Sequence, residues 1–490
     1  WLDVSLRLAM LLQTDGQLAA AEQLYPGIFA MLDERDGTLA RDEWVRLIIR
    51  ARASHAWLLG ATGRIDEALS SVERGLQTAE VLDTWQRSSD TWMRLAILHD
   101  YAAWLLEIQR RTRDSLASIE ACARIIGGLW MGDRKNRQLQ NWLAWSQHRA
   151  SILHTALGDL PSAQVKALRA VRIYRTMDDT RELRTLRDTS AALANLTGIL
   201  LRTGQLTWAS EQAREALALL DTAEMSGDDS LTGTQRRTEV MRIAAELQMA
   251  QGAYVEAEEM IGRALLSADR LIRRAGAEIL QSYALSATRF DLLLLRARLE
   301  LRRGASDAAA ATLTAADEIW HHLGDGDEPA QHLELRWLRA QLDYLSARRE
   351  ALDDPSAKRA ALTRILRAIE ELDPDDHGEP ALELAGLRGR ILLDLGERIL
   401  SEGRPFRARA ELDRAMAELD VLVRRAPDRW QLSLQLGRAW ALRAQLEHIE
   451  GRPSAARSSY GQAAAQFDRI LASDRSNVAA ARARAALPVP

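Results

Sequence analysis

The sequence holds one cysteine, Cys122, only three lysines, four phenylalanines and eleven prolines in 490 residues. A lone cysteine excludes an intramolecular disulfide and any zinc site built on several thiolates, and it fits a reducing compartment and a cytoplasmic location. Its IEACARI setting is that of a small, buried, apolar side chain. Positive charge is almost wholly arginine, yet 65 Lys plus Arg against 69 Asp plus Glu leaves a formal charge of -4. No global field therefore draws nucleic acid or an anionic membrane, and neither is expected as a partner. Leucine-rich runs such as Phe290 to Leu295 are soon broken by Arg, Glu or Asp, so none reads as a membrane span. The phosphate-cradling GxxxxGK[ST] and GxGxxG loops, the GxSxG elbow, the HExxH pair and Cys/His nucleophile signatures are all missing, which argues against nucleotide binding and nucleophilic catalysis. No cofactor and no metal is expected. The chain starts at Trp1 without a methionine or a signal-like lead, so it reads as a portion of something longer.

What the sequence does have is helix-forming material and a repeat. Hydrophobic residues make up 47% and charged residues 27%, while Ala, Leu, Arg and Glu dominate, so the chain is expected to fold throughout and to be all-α. One pattern recurs eight times. Its glycines are Gly16, Gly63, Gly158, Gly204, Gly252, Gly304, Gly403 and Gly451. Five residues after each comes an alanine, from Ala21 and Ala68 to Ala408 and Ala456. Seven further on lies a small residue in every copy but the first, which has Ile28, and small residues also stand seven before each glycine. Position nine after the glycine is apolar throughout, from Tyr25 to Tyr460. The glycines are 47, 95, 46, 48, 52, 99 and 48 residues apart, so each long gap hides a copy that has lost its glycine. Arg111 to Ala123 and Asp354 to Leu362 are the places for them, which makes ten units on one array over residues 1–490.

The columns have a reason on a helical hairpin. Glycine suits the tight turn because it accepts positive φ, and the positions at five, nine and twelve share one face of the helix that follows. Small side chains there and before the turn let two antiparallel helices approach closely. Turn-like punctuation places connections at 221–233, 321–330, 352–356, 372–380 and 424–428.

This set of columns resembles the tetratricopeptide repeat family, in a long-period variant of about 48 residues against the usual 34, with helices of about 20 residues. Lengthened repeats of this kind resemble those of bacterial multidomain signalling proteins. The resemblance implies an α-α superhelix and a non-catalytic scaffold that binds a protein, a peptide or a domain of its own parent chain, such as a kinase or an ATPase switch. It also implies a concave groove lined by residues 13, 10, 6, 3 and 2 before each glycine. In the central units these are Trp145, His148, Glu239, Arg242, Glu246, Asp291, Arg298 and Arg302. The clamp that grips peptide C-termini in part of the family uses Lys and Asn in these columns, and here neither occurs there. The alternative reading is an array that senses a small molecule in the groove and controls an attached catalytic domain.

Two further clusters stand out. His321, His322, Asp325, Asp327, Glu328 and His332, and the acidic stretch 373–379, read as solvated connections, since neither spacing matches a metal site. Fourteen tryptophans, with Trp130, Trp142 and Trp145 close together, read as packing, the other reading being exposed anchors for a partner.

Overall fold

The computed structural model describes residues 1–34, 40–83, 87–177, 182–228, 230–275, 279–324, 333–353, 355–370 and 378–488. Among the described residues every regular element is a helix. The first pairs are α1 (Leu2–Thr14) with a second helix broken into α2 (Leu18–Glu22) and α3 (Tyr25–Glu34), α4 (Arg41–Ala61) with α5 (Ile65–Glu80), and α6 (Ser89–Ile108) with α7 (Thr112–Gly132). Next come α8 (Arg137–Ala156) and α9 (Leu160–Arg175), α10 (Leu183–Arg202) and α11 (Leu206–Met225), and α12 (Leu231–Ala250) and α13 (Tyr254–Ala275). The remaining pairs are α14 (Ile279–Arg302) with α15 (Ser306–Gly324), α16 (Leu333–Asp353) with α17 (Pro355–Glu370), α18 (Glu379–Ser401) with α19 (Pro405–Arg425), and α20 (Trp430–Ile449) with α21 (Pro453–Ser473). A short α22 (Val478–Ala485) follows them. By its contacts the chain divides into two compact units, Trp1–Leu157 with Val165–Asp178, and Gly158–Gln164 with Asp179–Pro490.

All eight repeat glycines stand between paired helices at φ between 71° and 80°. In most of them the turn is closed by two backbone hydrogen bonds, as at Gly252, whose N–H donates to Met249 O at 3.2 Å while Ala253 N–H donates to Gln248 O at 2.9 Å. That is the αL helix stop in which glycine escapes a Cβ clash. The first hidden copy repeats it without glycine. Arg110 has φ 59°, its N–H donates to Glu107 O at 2.9 Å, and Arg111 N–H donates to Leu106 O at 2.9 Å. Counting from Arg110, the small columns fall on Ala103, Ser115 and Cys122, all buried, and Ser115 Oγ donates to Ala103 O at 2.9 Å across the hairpin. The second hidden copy is the α16–α17 pair, where Leu362 and Ile365 are buried.

The small columns are where helices touch. Ala21, Ala68, Ala163, Ala209, Ala257, Ala309 and Ala408 are fully buried. At Gly75 an added Cβ would lie 2.8 Å from Leu98, and at Gly396 it would lie 2.8 Å from Leu412. The connection expected at 221–233 is shorter than the composition suggested, since α11 runs to Met225 and α12 starts at Leu231. There Ser230 caps α12 by accepting from Gly233 N–H at 3.0 Å, so its polar residues serve helix ends rather than a long loop. His321 and His322 belong to the last turn of α15, so the connection expected at 321–330 starts later than its composition suggests, while Asp325, Asp327, Glu328, His332 and most of 373–379 lie outside the described residues.

In the second unit the array returns on itself. Helix α20 begins where α10 ends: Trp430 Nε1 donates to Leu201 O at 2.7 Å, and the indole stacks beside Gly204, where an added Cβ would lie 3.1 Å from it. The same contact recurs one hairpin earlier and one later, between Gly158 and Leu382 at the start of α18 and between Gly252 and Val478 at the start of α22. Asp474 caps α11 from a distance of 267 residues, accepting from Thr207 N–H at 2.7 Å. Three of the glycines thus serve two needs, the turn and this close approach.

Candidate binding channel

Because α20 returns to α10, the first helices of the second unit, α10, α12, α14, α16, α18 and α20, surround a common interior. On α12, Arg242 Nη2 pairs with Glu239 Oε1 at 2.8 Å, and its Nη1 lies 3.1 Å from Asp291 Oδ2 on α14 and 3.6 Å from Glu246 Oε2. Arg298 donates to Gln341 Oε1 of α16, and Arg302 Nη1 donates to Met249 O at 3.4 Å. These six residues of the mapped groove are therefore brought together. The other two, Trp145 and His148, lie on α8 of the first unit with ring centroids 5.8 Å apart. His148 is only 2% exposed, so it has no surface to offer a partner, and the column that carries it points into packing at α8.

The mapping missed the far wall of the channel. Arg202 Nε lies 3.1 Å from Glu379 Oε1, and Arg429, 5% exposed, pairs with Glu379 and, at 2.8 Å, with Glu383 Oε1. Arg390 of α18 also faces inward. A signal for two of these existed: Arg390 stands 13 before Gly403 and Arg202 stands 2 before Gly204, both groove columns. For Glu383 and Arg429 no column applies, since their place depends on the returning helices.

The charged groups of this interior are only partly exposed and are surrounded by several helices. Glu239 and Glu383 retain 45% and 39% side-chain exposure. Even so, removal from bulk water is the largest influence on both, and on Arg242 and Asp291. Solvent touches these groups while protein surrounds them. At Glu239 desolvation is outweighed by Arg242, and the carboxyl is held below the usual range. At Asp291 and Glu383 desolvation wins over the neighbouring arginines, and both are raised. Glu383 feels Arg202, Arg390, Glu246 and Arg298, which come from three other helices and its own, as a channel wall requires.

The Cys122 thiol is pushed up to about 12 by burial, with Ser146 Oγ 3.6 Å away, so it carries no thiolate at neutral pH. Among the described residues no three His, Cys, Asp or Glu side chains come together as a metal site. No described helix is long and apolar enough to cross a membrane. Of the described tryptophans only Trp1 is exposed, and the rest are partly buried in packing.

Antiparallel helix pairs joined at αL turns, with small residues wherever the pairs touch, define an all-α, tetratricopeptide-like superhelical solenoid. The sequence matches no family model and no curated protein. Solved structures do match in fold. The apo form of RapI superposes with a TM-score of 0.52 at 10% identity, covering 85% of this chain and 97% of its own. The apo quorum sensor NprR from B. thuringiensis gives 0.52 at 11% identity, covering 85% and 98%.

Proposed function

We propose that the chain is a non-catalytic regulatory scaffold that takes an extended segment or a single helix of a protein into the channel of its second unit. The observation that carries this is the partly exposed, charged interior formed by six first helices. Its walls alternate Arg with Glu and Asp, which suits a polar or mixed-charge segment and specifies register by complementarity. Charged side chains from several helices facing one interior suit a strand-like tail, a loop or one helix, each of which presents side chains on more than one side. NprR, a quorum sensor, has a similar fold; that likeness agrees with a regulatory role here, and the channel is the stronger support. The segment belongs to a separate cytoplasmic protein or to a kinase or ATPase switch on the same parent chain.

The test fills the lumen. Glu246→Trp places a large ring on the channel wall, while Glu211→Trp places one on the exposed face of α11 as a control. Proteins or peptides that co-purify with the wild-type chain and the control are expected to be lost with Glu246→Trp, at unchanged helical content and melting temperature. Identical partner sets for all three chains would remove the channel from consideration.

A further inference from the structure

Along the channel, α14, α16 and α18 form a recess of about 60 Å³, and four of its lining residues are arginines. Arg298 and Arg302 come from α14, Arg348 from α16 and Arg390 from α18. Among the described residues, none of the four is ion-paired to a carboxylate. Neutral acceptors position three of them instead. Arg298 donates to the Gln341 amide oxygen and Arg302 to the Met249 carbonyl. With the amide of buried Gln435 assigned the orientation its neighbours favour, its NH2 group donates to Gly386 O at 3.0 Å and its oxygen accepts from Arg390 Nε and Nη2 at 3.3 and 3.0 Å. A neutral acceptor fixes a guanidinium without cancelling its charge.

The nearby carboxylates are engaged elsewhere. Asp394 accepts from Tyr344 Oη at 2.8 Å, Asp291 is paired with Arg242, and Glu383 with Arg429. The proton affinity of Arg302 is lowered, first by the surrounding protein that removes it from bulk water and, against an opposing influence of Tyr254, by the charges of Arg298 and Arg390. Four guanidinium groups thus line one recess, and although Asp291 and Glu383 offset part of the charge of Arg298 and Arg390, neither forms an ion pair with any of the four, so an anion that enters gains their attraction. Size narrows the anion. At about 10–15 Å³ for each water-sized group the recess admits roughly four to six non-hydrogen atoms. Leu301, Leu345 and Leu387 supply an apolar side to the same volume, which suits a methylene stem.

We infer that this recess receives the side-chain carboxylate of an acidic residue, Asp or Glu, in the segment that occupies the channel. The inference rests on the channel reading above. Planar guanidinium forks match a carboxylate in paired hydrogen bonds, and the three leucines cover its aliphatic carbons.

Glutarate serves as the probe for a carboxylate on a methylene stem, with inorganic phosphate and sodium chloride of equal ionic strength as the other arms, all on the full chain. Glutarate is expected to raise the melting temperature saturably, chloride not at all, and phosphate with an affinity at least tenfold weaker. The exposed pair Arg302→Gln/Arg348→Gln should weaken glutarate at least tenfold while melting no lower than wild type without ligand, because it relieves repulsion. No response to glutarate beyond chloride overturns the inference, as does tighter binding of phosphate. A ligand-free variant that melts clearly lower would make the arginines structural and overturn it too. Partner capture that survives in this variant sinks the carboxylate assignment and leaves the channel standing, whereas the Glu246→Trp result tests the channel itself.

Discussion

Arg110 shows what a repeat does when it loses its preferred residue. The backbone keeps φ 59° and both closing hydrogen bonds, so the side chain bears the strain that the eight glycines avoid. Arg110→Gly should raise stability by about 1 kcal/mol, seen as a higher urea midpoint at constant slope; a lower midpoint would mean that the arginine side chain outweighs its backbone. His55 gives the pH counterpart. It sits 4.6 Å from the Tyr25 ring, and burial, then Arg52, push its pKa down from 6.5 to about 4. The fold therefore prefers the neutral ring, so its contribution is complete above pH 6.5 and is lost as pH falls toward 4. NMR titration of the ring should show the low value, and His55→Gln should flatten the loss of stability over that window.

At the scale of the helix pair, the fold was legible because each unit solves the same local problem. Gly204, Ala209 and Ala216 declare a turn and a close contact within a span of 13 residues, and the hairpin follows without distant information. Cys122 was legible for the same reason once its column was known, since it replaces an alanine at the helix contact. Ala257 and Ala309 are both fully buried in that column. Leucine at either should overpack the hairpin and cost about 1–3 kcal/mol in chemical denaturation. Unchanged midpoints in both variants would show that this face has room. The connection after α11 is shorter than its composition implies because Ser, Gly and Asp favour helix caps as well as loops, and composition alone does not tell the two apart.

Across a whole unit the sequence says less. The columns fix how a hairpin meets its neighbour, but the small rotation between neighbours decides where the sixth first helix arrives, and no residue column encodes that sum. Trp430 and Asp474 illustrate it: nothing in their local sequence announces Leu201 or Thr207 as partners. Half of the candidate site was readable for this reason, the wall on α12 and α14, while Glu383 and Arg429 on the returning helices were not. Trp430→Ala should speed amide hydrogen exchange at residues 201–207, far away in sequence, by at least tenfold, with little change in α14. Exchange that rises only around residue 430 would mean that the return contact holds nothing.

That return contact alters how the second unit comes apart. A linear stack of repeats frays from its ends, each unit leaning only on the next. Here the last helices cap the first, so α10 and α11 depend on residues more than two hundred positions downstream. Truncation before α20 should therefore loosen the opposite end of the unit as well, and a segment held there under the proposed function would have to leave either along the interior or through a parting of this joint.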